Sequence, residues 1–284
     1  MQTSSKSYRL VSADWENIAD GILVEEKTLP NSCYLRDNSA YFLEQTRGEL
    51  TIVYDGDTPV GVGKLSILPD GSGWLETLRV RPAWQGQGVG KALYRHWLAQ
   101  RETYGCHALR MFTGVGNLRS KGLAEKNGFS VAGTVIGATR KLSGVSAFPK
   151  TYDFSPVRDR QQALMLLQQH CPRMQGFVVL NNTFFRTEEK TWDYLWEQGM
   201  VFADRQQNLV VLGARMLRER GLHLAMYGGD GEKCLGFALA YTAGAGLPQL
   251  TVSYPPAQAE IRQQLEKLGF LHDPACRIVM ERSF

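Results

Sequence analysis

The sequence predicts an α/β (α+β) fold, and three observations support this prediction. Residues 77–93, "TLRVRPAWQGQGVGKAL", have the pattern of a short strand that passes through alternate glycines into a helix. The preceding "GELTIVYDGDTPVGVGKLSIL" has the pattern of a hairpin, and a related pattern returns near residue 221. The chain has 284 residues, enough for two domains, which we place at 1–145 and 146–284.

The composition limits the function classes to consider. A net charge of +4, with 43% hydrophobic and 21% charged residues, is typical of a globular protein and does not favour a nucleic-acid partner. The five cysteines are widely spaced, without metal-ligand or redox spacing, so we expect a reduced, cytoplasmic protein with no metal. No apolar run reaches the roughly 18 residues of a membrane span, and no membrane partner is expected.

The predicted elements follow one another in a simple order. "DWENIADGILVEE" and "SAYFLEQTRG" predict two helices. The hairpin has its turn at Asp55-Gly56-Asp57, and "GWLETLRV" predicts a third strand. After the glycine stretch comes a helix with an apolar face, then the strand "HALRMFTGV" and the segment "NLRSKGLAEKNGFSVAG".

The glycine stretch predicts a phosphate-binding turn, and its spacing decides between the known types. A P-loop is excluded because Gly90-Lys91 is followed by Ala92 and not by Ser or Thr. The single-residue gaps do not fit the G-x-G-x-x-G of dinucleotide-binding folds. What remains is Q-x-x-G-x-G, formed by Gln85, Gly88 and Gly90. Alternate glycines let backbone N–H groups converge, and the helix N-terminus adds its positive dipole, which suits a pyrophosphate.

This motif resembles the acyl-CoA signature of the GCN5-related N-acetyltransferase (GNAT) superfamily, and the likeness extends over some 130 residues. The resemblance implies a mixed, mostly antiparallel sheet flanked by helices, with acetyl-CoA as co-substrate. It also implies that a splayed strand and the glycine loop contact the CoA. The residues expected to do so are Leu78, Arg79, Val80, Gln85, Gly86, Gln87, Gly88, Val89, Gly90, Lys91 and Asn117. Four basic side chains near the turn are expected to assist the phosphates: Arg79, Arg81, Lys91 and Arg95.

The resemblance also supplies a candidate catalytic residue. Glu76 lies where many GNAT enzymes carry a carboxylate that removes a proton from the acceptor amine through water; a solvated strand carboxylate is the alternative interpretation. The position of the family's usual tyrosine, which protonates the departing CoA thiolate, holds Ala124. Two functions therefore stay open: an N-acetyltransferase acting by direct attack on acetyl-CoA, or a non-catalytic acyl-CoA-binding or interaction protein.

The free energy needed to deprotonate the acceptor amine favours one kind of acceptor. Deprotonating a lysine amine at pH 7 costs about 4.6 kcal/mol, whereas an α-amine costs only about 1 kcal/mol. A site with one carboxylate and no tyrosine suits the α-amine better. We therefore expect a small amine, amino acid or peptide as acceptor.

The second half predicts a degenerate, truncated copy of the first. "GLHLAMYGGDGEKCLGFALAYTAGAGLPQLTVSY" repeats the hairpin pattern, with a turn at Gly229-Asp230 and a strand holding Gly236. When the two halves are compared in this way, the second half lacks about 31 residues of the first, including the CoA loop, its helix and one strand. We expect this half to serve the acceptor, through Arg186 and Trp192. The alternatives are a surface or interdomain salt bridge for Arg186 and a core or interdomain position for Trp192.

Overall fold

The chain divides into two compact units in the computed structural model, which describes residues 6–142 and 152–284. The predicted domain boundary at residue 145 lies outside these described residues. Unit 1 takes the described residues within Met1–Met111, Leu118–Ser130 and Met280–Phe284. Unit 2 takes those within Phe112–Asn117 and Val131–Val279. Each unit is therefore formed from more than one segment of the chain, and no single boundary separates the two units.

The first part of the chain carries the predicted elements in the predicted order, preceded by a strand, β1, that was not predicted. They are β1 (Arg9–Ser12), α1 (Ile18–Thr28), α2 (Tyr34–Ala40), β2 (Gly48–Asp55), β3 (Thr58–Ile67), β4 (Gly73–Val80), α3 (Val89–Tyr104), β5 (Ala108–Gly114) and α4 (Leu118–Lys126). A π-helical turn over Tyr41–Gln45 extends α2. This order confirms the first upstream helix, the hairpin, the third strand and the strand after the glycine loop. The second upstream helix is present but begins at Tyr34, before the predicted segment "SAYFLEQTRG".

Unit 1 is built around a sheet in the order β1-β2-β3-β4-β5. All neighbours are antiparallel except β4 and β5, which are parallel and joined by α3. Helix α3 begins after Gly88 and ends at Gly105, and both glycines have the left-handed conformation common at helix ends. Its apolar face includes Trp97, whose ring occupies the space that a Cβ at Gly63 of β3 would need. A second apolar cluster packs α1 and α2 on β2 and β3.

Most of the remaining elements belong to unit 2. They are β6 (Ser130–Lys141), β7 (Ser155–Pro156), α5 (Arg160–His170), β8 (Phe177–Leu180), β9 (Thr183–Arg186), α6 (Glu189–Glu197), β10 (Val201–Ala203), β11 (Leu209–Gly213), β12 (Leu222–Gly228), α7 (Gly231–Gly244), β13 (Gln249–Tyr254), α8 (Ala259–Lys267), β14 (Leu271–His272) and β15 (Arg277–Ser283). Strand β6 begins, and β15 ends, with residues of unit 1.

The sheet of unit 2 has the order β7-β10-β11-β12-β13-β6. Its neighbours are antiparallel except for β12 and β13, which are parallel and joined by α7. Strands β8 and β9 form a separate hairpin. Unit 2 therefore contains a strand–helix–strand crossover of the same kind as β4–α3–β5. Among the described residues, no helix combines the length and apolar character needed to cross a membrane.

This crossover corrects the predicted strand at Gly236, which lies inside α7. The prediction was wrong because α7 is buried on most of its surface, so its sequence lacks the alternation between apolar and polar residues that marks a surface helix. Gly236 leaves room for Tyr152, because a Cβ there would lie 2.1 Å from the Tyr152 hydroxyl oxygen. The helix and strand inferred to be missing are therefore present as α7 and β13. In the described part of unit 2, the turn between β12 and α7 is short, without the long glycine loop of unit 1.

Candidate active site

The glycine loop between β4 and α3 has an open backbone. Gly86 and Gly88 have φ angles of +79° and +97°, which residues with a Cβ rarely adopt. A Cβ at either position would meet no atom of the described residues within 4 Å, so these residues leave open space directly beside the turn. Gly90 is different, because a Cβ there would lie 2.9 Å from Leu123 of α4. The first two glycines shape the turn, and the third allows two helices to pack.

Side chains of the loop itself hold it in place. The Gln85 amide nitrogen donates to the Val80 carbonyl at 3.0 Å, and its oxygen accepts from Arg119 of α4. The Gln87 amide nitrogen donates to the Ala83 carbonyl at 2.6 Å. Val89, at the start of α3, is buried beside Gly61 of β3. These contacts fix the loop backbone between β4 and α3 while leaving its glycines exposed.

Strand β4 separates from β5 just before the loop. The two strands pair at Gly73–Leu109 and Trp74–Arg110, and the part of the chain that the structure describes gives no pair beyond Trp74. The last residues of β4 thus have backbone groups on this side without a sheet partner, at the same edge as the glycine turn. Leu78 and Val80, both half-buried, lie in this segment. An extended polyamide such as pantetheine can hydrogen-bond to an edge of this kind.

A β-bulge interrupts β4 at Thr77. The register with β3 shifts, because Val62 pairs with Arg79 and Lys64 pairs with Glu76. Two residues of β4 therefore oppose one of β3. Thr77 has a φ angle of +55°, which is unusual for a β-branched residue, and its buried hydroxyl has no hydrogen-bond partner. Because side chains alternate along a strand, the extra residue brings Glu76 and Arg79 to the same face of the sheet.

Glu76 lies on this face within a polar cluster beneath α1 and α2. Its side chain is 8% exposed. The Ser66 hydroxyl donates to Oε1 at 2.6 Å, and the Tyr34 hydroxyl approaches Oε2 at 3.4 Å. The fully buried Lys64 lies opposite Glu76 in the register and donates from Nζ to the Phe42 carbonyl at 2.9 Å. The carboxylate is therefore oriented by two hydroxyl groups, which rules out the alternative of a solvated strand carboxylate.

The Arg79 side chain contacts α1, although it was expected to assist the phosphates at the glycine turn. Its guanidinium points to Glu25 of α1, with Nε 3.9 Å from Oε1, and does not join the phosphate turn. Burial lowers the pKa of Arg79, and the charge of Glu25 opposes this effect. The expected phosphate role of its side chain stays a prediction, and the bulge places Arg79 on the face beneath α1. Lys91 and Arg95 are exposed on α3, whereas Arg81 donates to the Pro59 carbonyl at 3.1 Å.

The remaining expected site residues lie in unit 2. Asn117 immediately precedes α4. Arg186 ends β9 and stacks on the Phe177 ring, with its Cζ 4.3 Å from the ring centroid. Trp192 is only 2% exposed in α6, which argues against direct contact with an acceptor and favours its alternative role as a core residue. The expected roles of Asn117 and Arg186 stay predictions.

The sequence did not single out four members of the polar cluster: Glu25, Tyr34, Lys64 and Ser66. Lys64 and Ser66 left a weak signal, because both lie at alternate positions of a largely buried strand. Tyr34 is the first residue of α2 and precedes the segment in which the sequence predicted a helix. Glu25 gave no signal, since an acidic residue on a helix is usually exposed.

The fold, the splayed strand and the glycine turn define a CoA-dependent acyltransferase. Residues 15–129 match the model of the "Acetyltransferase (GNAT) family". Residues 15–129 therefore carry a domain of this family, and a second region of GNAT-like fold follows it. No curated protein matches the sequence closely enough to indicate a relative.

Solved structures with the same fold cover nearly the whole chain. A GCN5-related N-acetyltransferase from Sphaerobacter thermophilus has a TM-score of 0.64 and 10% identity, covering 97% of this chain and 95% of that one. A tandem GNAT protein from the clavulanic acid biosynthesis pathway has a TM-score of 0.61 and 13% identity, covering 98% of each chain. A glucosamine N-acetyltransferase region of a fungal multi-domain GH3 β-N-acetylglucosaminidase has a TM-score of 0.70 and 12% identity, covering 98% of this chain and 38% of that one.

Proposed function

We propose that this protein transfers an acetyl group from acetyl-CoA to the primary amine of a small molecule, amino acid or peptide. The observation that carries the proposal is the juxtaposition on β4: an edge open to pantetheine, the bulge at Thr77, and the oriented carboxylate of Glu76 on the face beneath α1 and α2. The glycine turn at the end of the same strand suits the pyrophosphate of CoA, because Gly86 and Gly88 leave open space beside it.

The chemistry follows from these groups. The neutral amine attacks the thioester carbonyl carbon, the new C–N bond forms, and the C–S bond breaks to release the CoA thiolate. The proton lost by the amine passes through water to Glu76. Backbone N–H groups of β4 near the bulge are suited to stabilise the negative charge that develops on the carbonyl oxygen. Direct attack needs no covalent enzyme intermediate.

The proton for the leaving thiolate has no tyrosine source in α4. Ala124, at the family's usual tyrosine position, is fully buried. A thiol has a pKa of about 8.5, so water at neutral pH protonates the thiolate without a dedicated acid. Ala124 is therefore compatible with an enzyme, although it would also suit a protein that only binds acyl-CoA.

Thiol release from acetyl-CoA, measured over a panel of amines, tests the proposal. The panel should include amino acids, short peptides, amino sugars and polyamines. An enzyme releases CoA in proportion to one or more amines, and the acetylated amine appears by mass spectrometry. Tight acetyl-CoA binding without thiol release for any amine would favour the alternative of a binding protein.

Replacing Glu76 by Gln tests the base. We expect turnover at neutral pH to fall about a hundredfold, with a smaller loss at high pH, where the amine deprotonates without help. Glu49→Gln is a matched control, because Glu49 lies on β2 and contacts His96 of α3. Equal activity of Glu76→Gln and the parent across the whole pH range would show that Glu76 has only a structural role.

A further inference from the structure

Arg79 is a charged side chain that the reaction described above does not use. Nη1 donates to the Leu78 carbonyl at 3.1 Å, whereas Nε is buried without a hydrogen-bond partner. No described residue accepts a hydrogen bond from Nη2. A guanidinium has five N–H donors, so most of its hydrogen-bonding capacity is unused. Its side chain is 27% exposed, which leaves its outer end accessible.

Glu25 lies beside the buried Nε of this guanidinium. The Glu25 side chain is 1% exposed, and its Oε2 accepts from the backbone N–H of Leu35 at 2.7 Å. Its Oε1 lies 3.9 Å from Arg79 Nε and has no hydrogen-bond partner, so the ion pair is loose. A partly desolvated positive charge with few hydrogen bonds is costly, and an anion at its exposed end reduces that cost. The site therefore favours a negatively charged group.

The position of Arg79 relative to Glu76 indicates which molecule carries the anion. The bulge at Thr77 brings both side chains to one face, and Tyr34 lies near both of them. A group held by Arg79 is therefore close to the amine that Glu76 deprotonates. A molecule with an amine toward Glu76 and a carboxylate toward Arg79 matches this arrangement.

We propose that Arg79 binds the carboxylate of the acceptor, and that the acceptor is a small amino acid. This inference rests on the proposed acetyl transfer and narrows its acceptor class. Arginine is suited to the task because it forms charge-assisted hydrogen bonds with carboxylates and keeps its charge at all physiological pH values. The role belongs to its side chain and does not require the backbone N–H groups of β4 that are expected to bind CoA.

The first test compares each amino acid with its carboxamide in the parent protein, which needs no variant. Rates are compared at pH values where both amines are neutral, so that amine basicity does not contribute. We expect kcat/KM to favour the carboxylate by about tenfold or more. Equal rates for acid and amide would overturn the inference and leave the proposed function intact. Absence of turnover with any amine would instead refute the proposed function.

The second test replaces Arg79 by Gln and by Lys. For Arg79→Gln we expect the amino-acid KM to rise about tenfold, the preference over the carboxamide to disappear, and the acetyl-CoA KM to stay unchanged. Arg79→Lys should retain part of the preference because it keeps the charge. Arg36→Ala is the control, since Arg36 is an exposed arginine of α2 paired with Glu26. A preference that persists in a folded Arg79→Gln protein would show that Arg79 has only a structural role.

Discussion

The crossovers β4–α3–β5 and β12–α7–β13 share one topology but differ in the turn before the helix. In unit 1 the connection runs over residues 81–88 and contains two open glycines with positive φ. In unit 2 it is Gly229-Asp230 alone. The Asp230 carboxylate accepts from the backbone N–H of Lys233 at 3.1 Å and so caps α7. The comparison teaches that the fold needs the parallel strands and the helix, whereas anion binding needs the loop.

Packing around the second turn reinforces this difference. The backbone N–H of Asp230 donates to the side-chain oxygen of Asn208 at 2.7 Å. A Cβ at Gly229 would lie 2.1 Å from that same oxygen, and one at Gly228 would lie 2.1 Å from the His170 ring. The space that is empty beside Gly86 and Gly88 is therefore filled by protein atoms in unit 2. A carboxylate also stands at the end of α7 where a phosphate would need to bind.

The largest expected effect comes from a substitution in the open turn between β4 and α3. Gly88→Glu places a carboxylate beside the expected pyrophosphate, and we expect acetyl-CoA affinity to fall about a hundredfold or more. Gly88→Ala is the matched control, because both variants carry the strain of a Cβ at positive φ while only one adds charge. Calorimetric titration of both proteins measures the difference. Equal affinities in two folded variants would contradict the assignment of the loop to CoA.

A second prediction concerns the histidine buried in β12. Burial lowers the pKa of His223 to about 3, and the charge of Arg277 adds to the effect. The unfolded chain takes up a proton near pH 6.5, whereas the folded chain does so only near pH 3. The contribution of His223 to the free energy of unfolding is therefore fully present above pH 6.5. It is lost as pH falls toward 3, by at most about 1.4 kcal/mol per pH unit.

His223→Asn is expected to flatten this acid dependence, measured by denaturant unfolding between pH 7 and pH 4. The exposed His107 of unit 1 gives the control, since His107→Asn removes a histidine without removing a buried one. An unaltered slope in His223→Asn would show that other groups cause the acid loss.

The smallest expected effect concerns the cap of α7. Asp230→Ala removes the side chain that accepts from Lys233, and we expect a loss of about 1 kcal/mol in the free energy of unfolding. Acetyl-CoA should still bind with one molecule per chain, because Asn208 and His170 still fill the second turn. Appearance of a second acetyl-CoA site in this variant would contradict the explanation by packing and make Asp230 the only barrier.

Short-range patterns explain why most of unit 1 could be predicted. The Asp55-Gly56-Asp57 turn, the i, i+4, i+8 spacing of Val89, Leu93 and Trp97, and the glycine spacing each involve residues close in sequence. The family resemblance placed Glu76 on the strand before the loop. The prediction failed at α7, where burial on most sides removes the periodic signal. The sequence left two roles open for Trp192, because its burial depends on packing in unit 2 as a whole.

The sequence by itself determined the glycine loop, the helix after it and the class of ligand they suit, because turn chemistry and helix periodicity act between neighbouring residues. Tertiary structure alone decided which face each side chain of β4 occupies. The bulge at Thr77 depends on the pairing of β4 with β3, and a shift of one residue reverses the faces of all residues beyond it. That shift is the physical reason why Arg79 faces Glu25 and Glu76 and not the phosphate turn.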